Sequence, residues 1–138
     1  MNDLEVREMI QKHEGFRSYV YKDTLGFLTG GYGHAFLEGS LISQQVANAL
    51  FEEDFTQAKQ DCVIFCERYN LFLDPARRGV IVNMLFNMGI SKLSNFKKFI
   101  AALQAKDHKT ASAEMRNSLW AKQTKNRAVE LAKIMEEG

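Results

Sequence analysis

Only one stretch of this chain alternates in the manner of a β-strand. Arg17 to Lys22 reads RSYVYK, with Tyr19 and Tyr21 on one face. Asp23-Thr24-Leu25-Gly26 follows as a turn signal. Phe27 to Phe36 reads as the returning strand, although Gly30, Gly31 and Gly33 weaken it. Glycine inside a strand often marks a bulge or a place where a ligand approaches the backbone. Residues 15–36 are therefore expected to form a β-hairpin, and the rest of the chain to be helical. A lone hairpin has too little apolar surface to be stable, so it must pack on helices.

The helices are marked by their ends as much as by their periodicity. Asn2 or Asp3 suits an N-cap, Leu4, Val6, Met9 and Ile10 give an apolar side, and Gly15 is a fitting stop. Ser43 is expected to cap a long helix reaching about Arg68, with Val46, Leu50, Phe51, Phe55, Ala58 and Cys62 as its stripe. Asp74-Pro75 is a strong start signal, an N-cap followed by proline at the first helical position. That helix is expected to run through Ile81, Met84 and Leu85 to Gly89. Ser94 is expected to cap another, burying Phe96, Phe99, Ile100 and Leu103, and Asp107 a short one reaching about Asn117. Trp120 is assigned to a connection, and Thr124 or Lys125 to the start of a last helix carrying Ala128, Leu131, Ala132 and Met135. The fold class implied is α+β and mostly helical.

A length of 138 residues suits one compact domain. Within it, residues 14–60 would form a small lobe, with the hairpin and a connecting helix, and residues 1–13 and 61–138 a helical lobe. A cleft between the lobes is the natural place for a site. A hydrophobic fraction of 46% and a charged fraction of 25% are ordinary for a globular protein. No apolar run approaches the roughly 18 residues of a membrane span, and the charged N-terminus lacks the apolar core of a secretory signal. Net charge is +1 but uneven: residues 1–75 hold six Lys and Arg against twelve Asp and Glu, residues 76–138 twelve against five. A basic second half could hold an anionic polymer, whether nucleic acid or cell wall, or could simply be a solvated surface. Cys62 and Cys66, four apart on a helix, share a face but suit a disulfide poorly, and read as reduced core residues. With His13, His34 and His108 scattered, no metal-ligand spacing emerges.

Three residues around the hairpin could carry chemistry. Glu14 ends a helix, where the C-terminal dipole disfavours its charge and raises its pKa, as a general acid requires. An exposed helix-end glutamate would look the same. Asp23 sits in the turn, where a carboxylate stays wet and ionised, although turn aspartates commonly just bond their own backbone. Thr29, among glycines, has a hydroxyl that could reach a ligand or hold a water. Cleaving a glycosidic bond needs one acid for the leaving oxygen and one carboxylate for water or positive charge on the other face. His34 reads either as a hydrogen-bonded structural residue or as part of the site, and Tyr21, Phe27 and Tyr32 as sugar-stacking rings or as core.

The stretch HEGFRSYVYKDTLGFLTGGYGH (13–34) resembles the signature of the phage lysozyme (endolysin) family of the T4 type, E-G-x-R, Y-x-D, G and T-x-G-x-G-H. Every element stands at the expected spacing. DPARRGVIVNMLFNMG (74–89) is similar to that family's central buried helix, and LWAKQTKNRA (119–128) to its W-x-x-Q-T-x-N-R-A segment. The resemblance implies a lysozyme-like fold in which Glu14 is the general acid, Asp23 the second carboxylate and Thr29 the residue positioning water. It implies support from His34 and Tyr32, cleft-lining roles for Phe86, Asn87 and Asn83, and an Arg127 that pairs with the glutamate. Trp120, Gln123, Thr124 and Asn126 would pack against or beside the cleft, Trp120 as core. Residues 35–50 are shorter than in T4-type members, Gly30 stands where an aliphatic residue is common, and Leu25 where a polar one is. Phe99 and Glu114 depart from the pattern at positions that contact substrate in T4-type members.

The implied activity is a peptidoglycan hydrolase, an inverting N-acetylmuramidase needing no cofactor and no metal. Its partner would be bacterial peptidoglycan, with no nucleic acid and no integral membrane segment, and the protein would be a monomer. As an endolysin it would wait in the host cytoplasm for holin-dependent release, then act on the wall and lyse the host. A virion-associated role, or a place within a longer protein, would fit the same residues. The alternatives are a lytic transglycosylase and a non-catalytic wall-binding module, both disfavoured by the intact Glu14, Asp23 and Thr29.

Overall fold

The computed structural model describes residues 13, 17–22, 28–31, 34–36 and 43–138. The chain divides into two compact units, Met1–Gln44 and Gln45–Gly138. In the first unit, β1 (Arg17–Lys22), β2 (Leu28–Gly31) and β3 (His34–Phe36) form a three-stranded antiparallel sheet in the order β1-β2-β3. The segment expected as one returning strand is thus two, β2 and β3. Tyr21 pairs with Thr29 and Lys22 with Leu28, and an irregularity in register precedes Tyr21. Across the other edge of β2, Thr29 faces Ala35 and Gly30 faces His34. His13 is helical and exposed. The rest of the expected first helix, its Gly15 stop and the 23–26 turn lie outside the described residues.

The second unit is helical. α1 (Gln44–Tyr69) begins where Ser43 suggested, and α2 (Pro75–Met88) follows with the expected ends. The Asp74 carboxylate accepts from the Arg77 backbone N–H, Pro75 occupies the first turn, and Gly89 takes φ 84°, a conformation open to glycine. Next come α3 (Ile90–Leu93), α4 (Lys97–Gln104), α5 (His108–Arg116), α6 (Leu119–Thr124) and α7 (Asn126–Glu137). Three of these differ from expectation. α3 is too short to show a period, and Ser94 closes it rather than opening α4. α4 starts at Lys97 with no side-chain cap. Trp120 lies within α6, whose N-cap Ser118 accepts from the Ala121 N–H. Asp107 caps α5 as expected, accepting from Thr110.

The core of this unit joins Phe65, Ile81, Met84, Leu93, Phe99, Met115 and Met135, all 1% exposed or less. Burying each large apolar side chain contributes about 1.5–3 kcal/mol. α2 presents Val80, Ile81, Met84 and Leu85 to this core, and α5 packs against both α4 and α7. Only the second half of α1 joins it. Ala58, Cys62, Phe65 and Cys66 are buried, whereas Val46, Leu50 and Phe51, on the stripe read from the sequence, are 44–50% exposed. At 1.5 Å per residue this 26-residue helix spans about 39 Å, longer than one face of so small a core. Arg77 fastens the chain's end to α2. Its Nε donates to the Met135 carbonyl at 2.7 Å and Nη2 to that of Glu136 at 3.0 Å, placing a cation at the negative end of α7.

Candidate active site

Within the sheet, Thr29 sits at the centre of β2, paired with Tyr21 on one side and Ala35 on the other. His34 opens β3 opposite Gly30. Backbone pairing therefore brings Thr29 and His34 to neighbouring rungs of the same two strands. Glu14, Asp23 and Tyr32 lie outside the described residues.

In the helical unit, the C-terminal half of α2 carries Asn83, Phe86 and Asn87, and the start of α7 carries Arg127. Asn83 and Asn87 are one turn apart and so share a face. Each holds a residue from the far end of the chain. Asn83 Oδ1 accepts from Arg127 Nε at 2.8 Å, and Asn87 Oδ1 accepts from Trp120 Nε1 at 2.7 Å. The first bond has a charged donor, a class that contributes about 1.5–3 kcal/mol. It also fixes the plane of the guanidinium. Among the described residues the ion pairs are Arg77–Asp74 and Arg116–Glu136, so Arg127 pairs with none of these carboxylates. Trp120 is 6% exposed and belongs to the core, as expected, while its indole N–H reaches out to α2. Thr124 Oγ1 donates back to the Trp120 carbonyl at 2.9 Å, securing the same short helix. Phe86 is half-exposed, its ring 5.6 Å from that of Phe51, which in turn stacks on Phe55 at 5.7 Å.

Beside the Asn87–Trp120 pair lies a cavity of about 860 Å³. Phe96, Phe99 and Trp120 give it apolar surface, Asn87, Asn117 and Gln123 supply amides, and Lys92, Lys97 and Lys98 stand along it against one carboxylate, Glu114. Phe99 is 1% exposed, so it meets the cavity as part of the core wall. Such a lining suits a polar, amide-bearing chain with negative charge. The three lysines were not singled out from the sequence. The adjacent pair Lys97-Lys98 at the start of α4 was the available signal, but only folding sets it beside Trp120.

The sequence pattern of the Phage lysozyme family matches residues 11–134. The chain belongs to the phage lysozyme family. Two family relatives from Dictyostelium discoideum are probable T4-type lysozymes 1 and 2, at 28% and 30% identity, each alignment covering 96% of this chain and 94% of the relative. The pre-baseplate central spike protein Gp5 of Enterobacteria phage T4 is 28% identical over 96% of this chain, which matches 28% of that larger protein. Membership in the phage lysozyme family supports a glycosidase function of the lysozyme type, with peptidoglycan a consistent substrate. No helix among the described residues is long and apolar enough to cross a membrane.

Proposed function

We propose that the protein hydrolyses the β-1,4 bond from N-acetylmuramic acid to N-acetylglucosamine in peptidoglycan. The observation that carries this reading is the family match over residues 11–134, a range that spans Glu14, Asp23 and Thr29. In this mechanism Glu14 gives its proton to the leaving glycosidic oxygen. A water held by Asp23 and the Thr29 hydroxyl attacks the anomeric carbon from the opposite face, its proton passing to Asp23. The product would have inverted configuration, which calls for carboxyl groups more than roughly 6.5 Å apart. His34 and Tyr32 would support the hairpin side of the site. Phe86, Asn87 and Arg127 would serve it from the helical side, with Arg127 facing Glu14. The domain would be a single lysozyme domain with its cleft between a small β lobe and the helical lobe. The lysine-edged cavity would receive the anionic peptide stem of the glycan.

We place the protein as a monomeric endolysin, released through a holin-opened membrane to lyse the host, with a virion-associated role as the other setting. The deciding experiment digests isolated peptidoglycan with the protein and with Glu14→Gln, and identifies fragments by mass and by their ends. Reducing muramic ends from the wild type alone support the reading. Anhydro-muramic ends would replace it with a lytic transglycosylase, and no fragments from the wild type would leave only a wall-binding module.

A further inference from the structure

Cys62 and Cys66 serve no step of the proposed hydrolysis. Both are free, one turn apart on α1, and they differ in surroundings. Cys62 is fully buried. Cys66 is 8% exposed and lines a second cavity, of about 380 Å³, whose lining includes none of the active-site candidates. Arg78 of α2 lines the same cavity, and the apolar side chains of Val63, Leu71 and Phe72 form the rest of its wall with Glu67 and Asn70. Phe72 is 80% exposed and forms the solvent-facing rim of the cavity.

We propose that Cys66 is a covalent modification site that accepts one half of a carboxylate-bearing disulfide, one adduct per chain, while Cys62 stays unmodified. Three features of the site lead there. The thiolate is the nucleophile in thiol–disulfide exchange, and cationic, partly open surroundings favour it. Here the neighbouring Cys62 thiol holds Cys66 down to about 7, against the opposing effect of burial and with Arg78 adding its positive charge. The neighbouring Cys66 and deep burial push Cys62 up, keeping it a thiol. Arg78 then selects a disulfide that carries carboxylates, and the cavity lies within the size range of small-ligand sites.

In the reaction the Cys66 sulfur attacks one sulfur of the incoming disulfide, the old S–S bond breaks and a Cys66 mixed disulfide forms. Cys66 is oxidised, and the departing half is reduced to a thiolate that takes up a proton from water. Cys62 does not resolve the adduct. Residues four apart on a helix hold their Cβ atoms about 5–6 Å apart, whereas a disulfide needs about 3.5–4.5 Å. An internal bridge would break a turn of α1, so the mixed disulfide persists.

The test uses the full chain under native conditions with three disulfides: dithiobis(nitrobenzoate) for stoichiometry, oxidised glutathione as the anionic probe and cystamine as the cationic one. One equivalent of aryl thiolate should be released quickly, with a rate that rises through pH about 7, and intact mass should show one glutathionyl adduct. Cys66→Ser should abolish the adduct and Cys62→Ser should keep it. Arg78→Gln, at an exposed position, should slow glutathione disulfide about fivefold while sparing cystamine, as expected for one screened charge. Reaction only after unfolding, equal labelling of both cysteines, a Cys62–Cys66 bridge, or indifference of Arg78→Gln to probe charge would each overturn the proposal.

Discussion

Arg127 Nε and Asn83 Oδ1 meet at 2.8 Å although forty-four positions separate them in the chain. The bond holds the guanidinium of α7 against the C-terminal half of α2. In the proposed mechanism this places a fixed cation on the helical side of the site. Arg127→Met should move the high-pH limb of the kcat/KM profile upward. A general acid works protonated, a nearby cation favours its ionised form and lowers its pKa, and removing the cation raises that pKa. Activity should therefore extend to higher pH in the variant. Asn83→Ala should move the limb the same way by less. A limb that stays in place in Arg127→Met would show that the arginine acts elsewhere.

Asn87 and Trp120 form the second long-range tie. Asn87→Leu leaves the indole N–H of a nearly buried tryptophan without its partner and should cost about 1–3 kcal/mol in urea unfolding. Adding Trp120→Phe removes the stranded donor as well, so the double variant should lose less than the sum of the singles. Strict additivity would mean that the bond carries no net coupling.

The lysines along the large cavity make a separate prediction about substrate. Replacing Lys97 and Lys98 by glutamine should raise KM for intact wall about two- to fivefold, because exposed charges contribute less than about 1 kcal/mol each. The salt dependence of KM should flatten at the same time. An unchanged salt dependence would detach these residues from wall binding.

Acid should weaken the fold through two helix caps. Hydrogen bonds from the Thr110 hydroxyl and backbone hold Asp107 below the usual carboxylate range. Asp74 is held down by its bonds to Arg77, which outweigh the opposing effect of burial. A carboxylate with a depressed folded pKa stabilises fully above its unfolded value, about 3.9, and the contribution is lost as pH falls through the lower folded value. Tm should therefore drop below about pH 4, and Asp107→Asn, which keeps a capping oxygen, should show a shallower drop. An equal drop in both proteins would assign the acid sensitivity to other groups.

What could be read directly from the sequence was local. α2 lies where Asp74, Pro75 and Gly89 put it, because a cap, a proline and a left-handed glycine act within one turn. α5 follows Asp107 for the same reason. α6 escaped because its six residues show no period, and the Ser118 cap precedes only a short apolar stretch, Leu119 and Trp120. Ser94 has the chemistry of an N-cap but serves as the end of α3, where its backbone N–H, not its hydroxyl, bonds the Ile90 carbonyl.

The signature residues from Glu14 to His34 identify the family from sequence alone, because their spacing is itself the pattern. Their partners were not legible there. Which asparagine meets Arg127, which meets Trp120, and which lysines come beside the tryptophan depend on how α2, α4, α6 and α7 pack. The exposure of Val46, Leu50 and Phe51 belongs to the same level, since periodicity marks a helix's apolar face but not how far along it the core extends. Near neighbours in the chain were enough to mark the ends of α2, the start of α5 and the family, and to nominate the candidate catalytic set. The tertiary structure alone decided the long-range ties and the two cavities, because those arise from side chains that meet only when helices distant in sequence bury a common core.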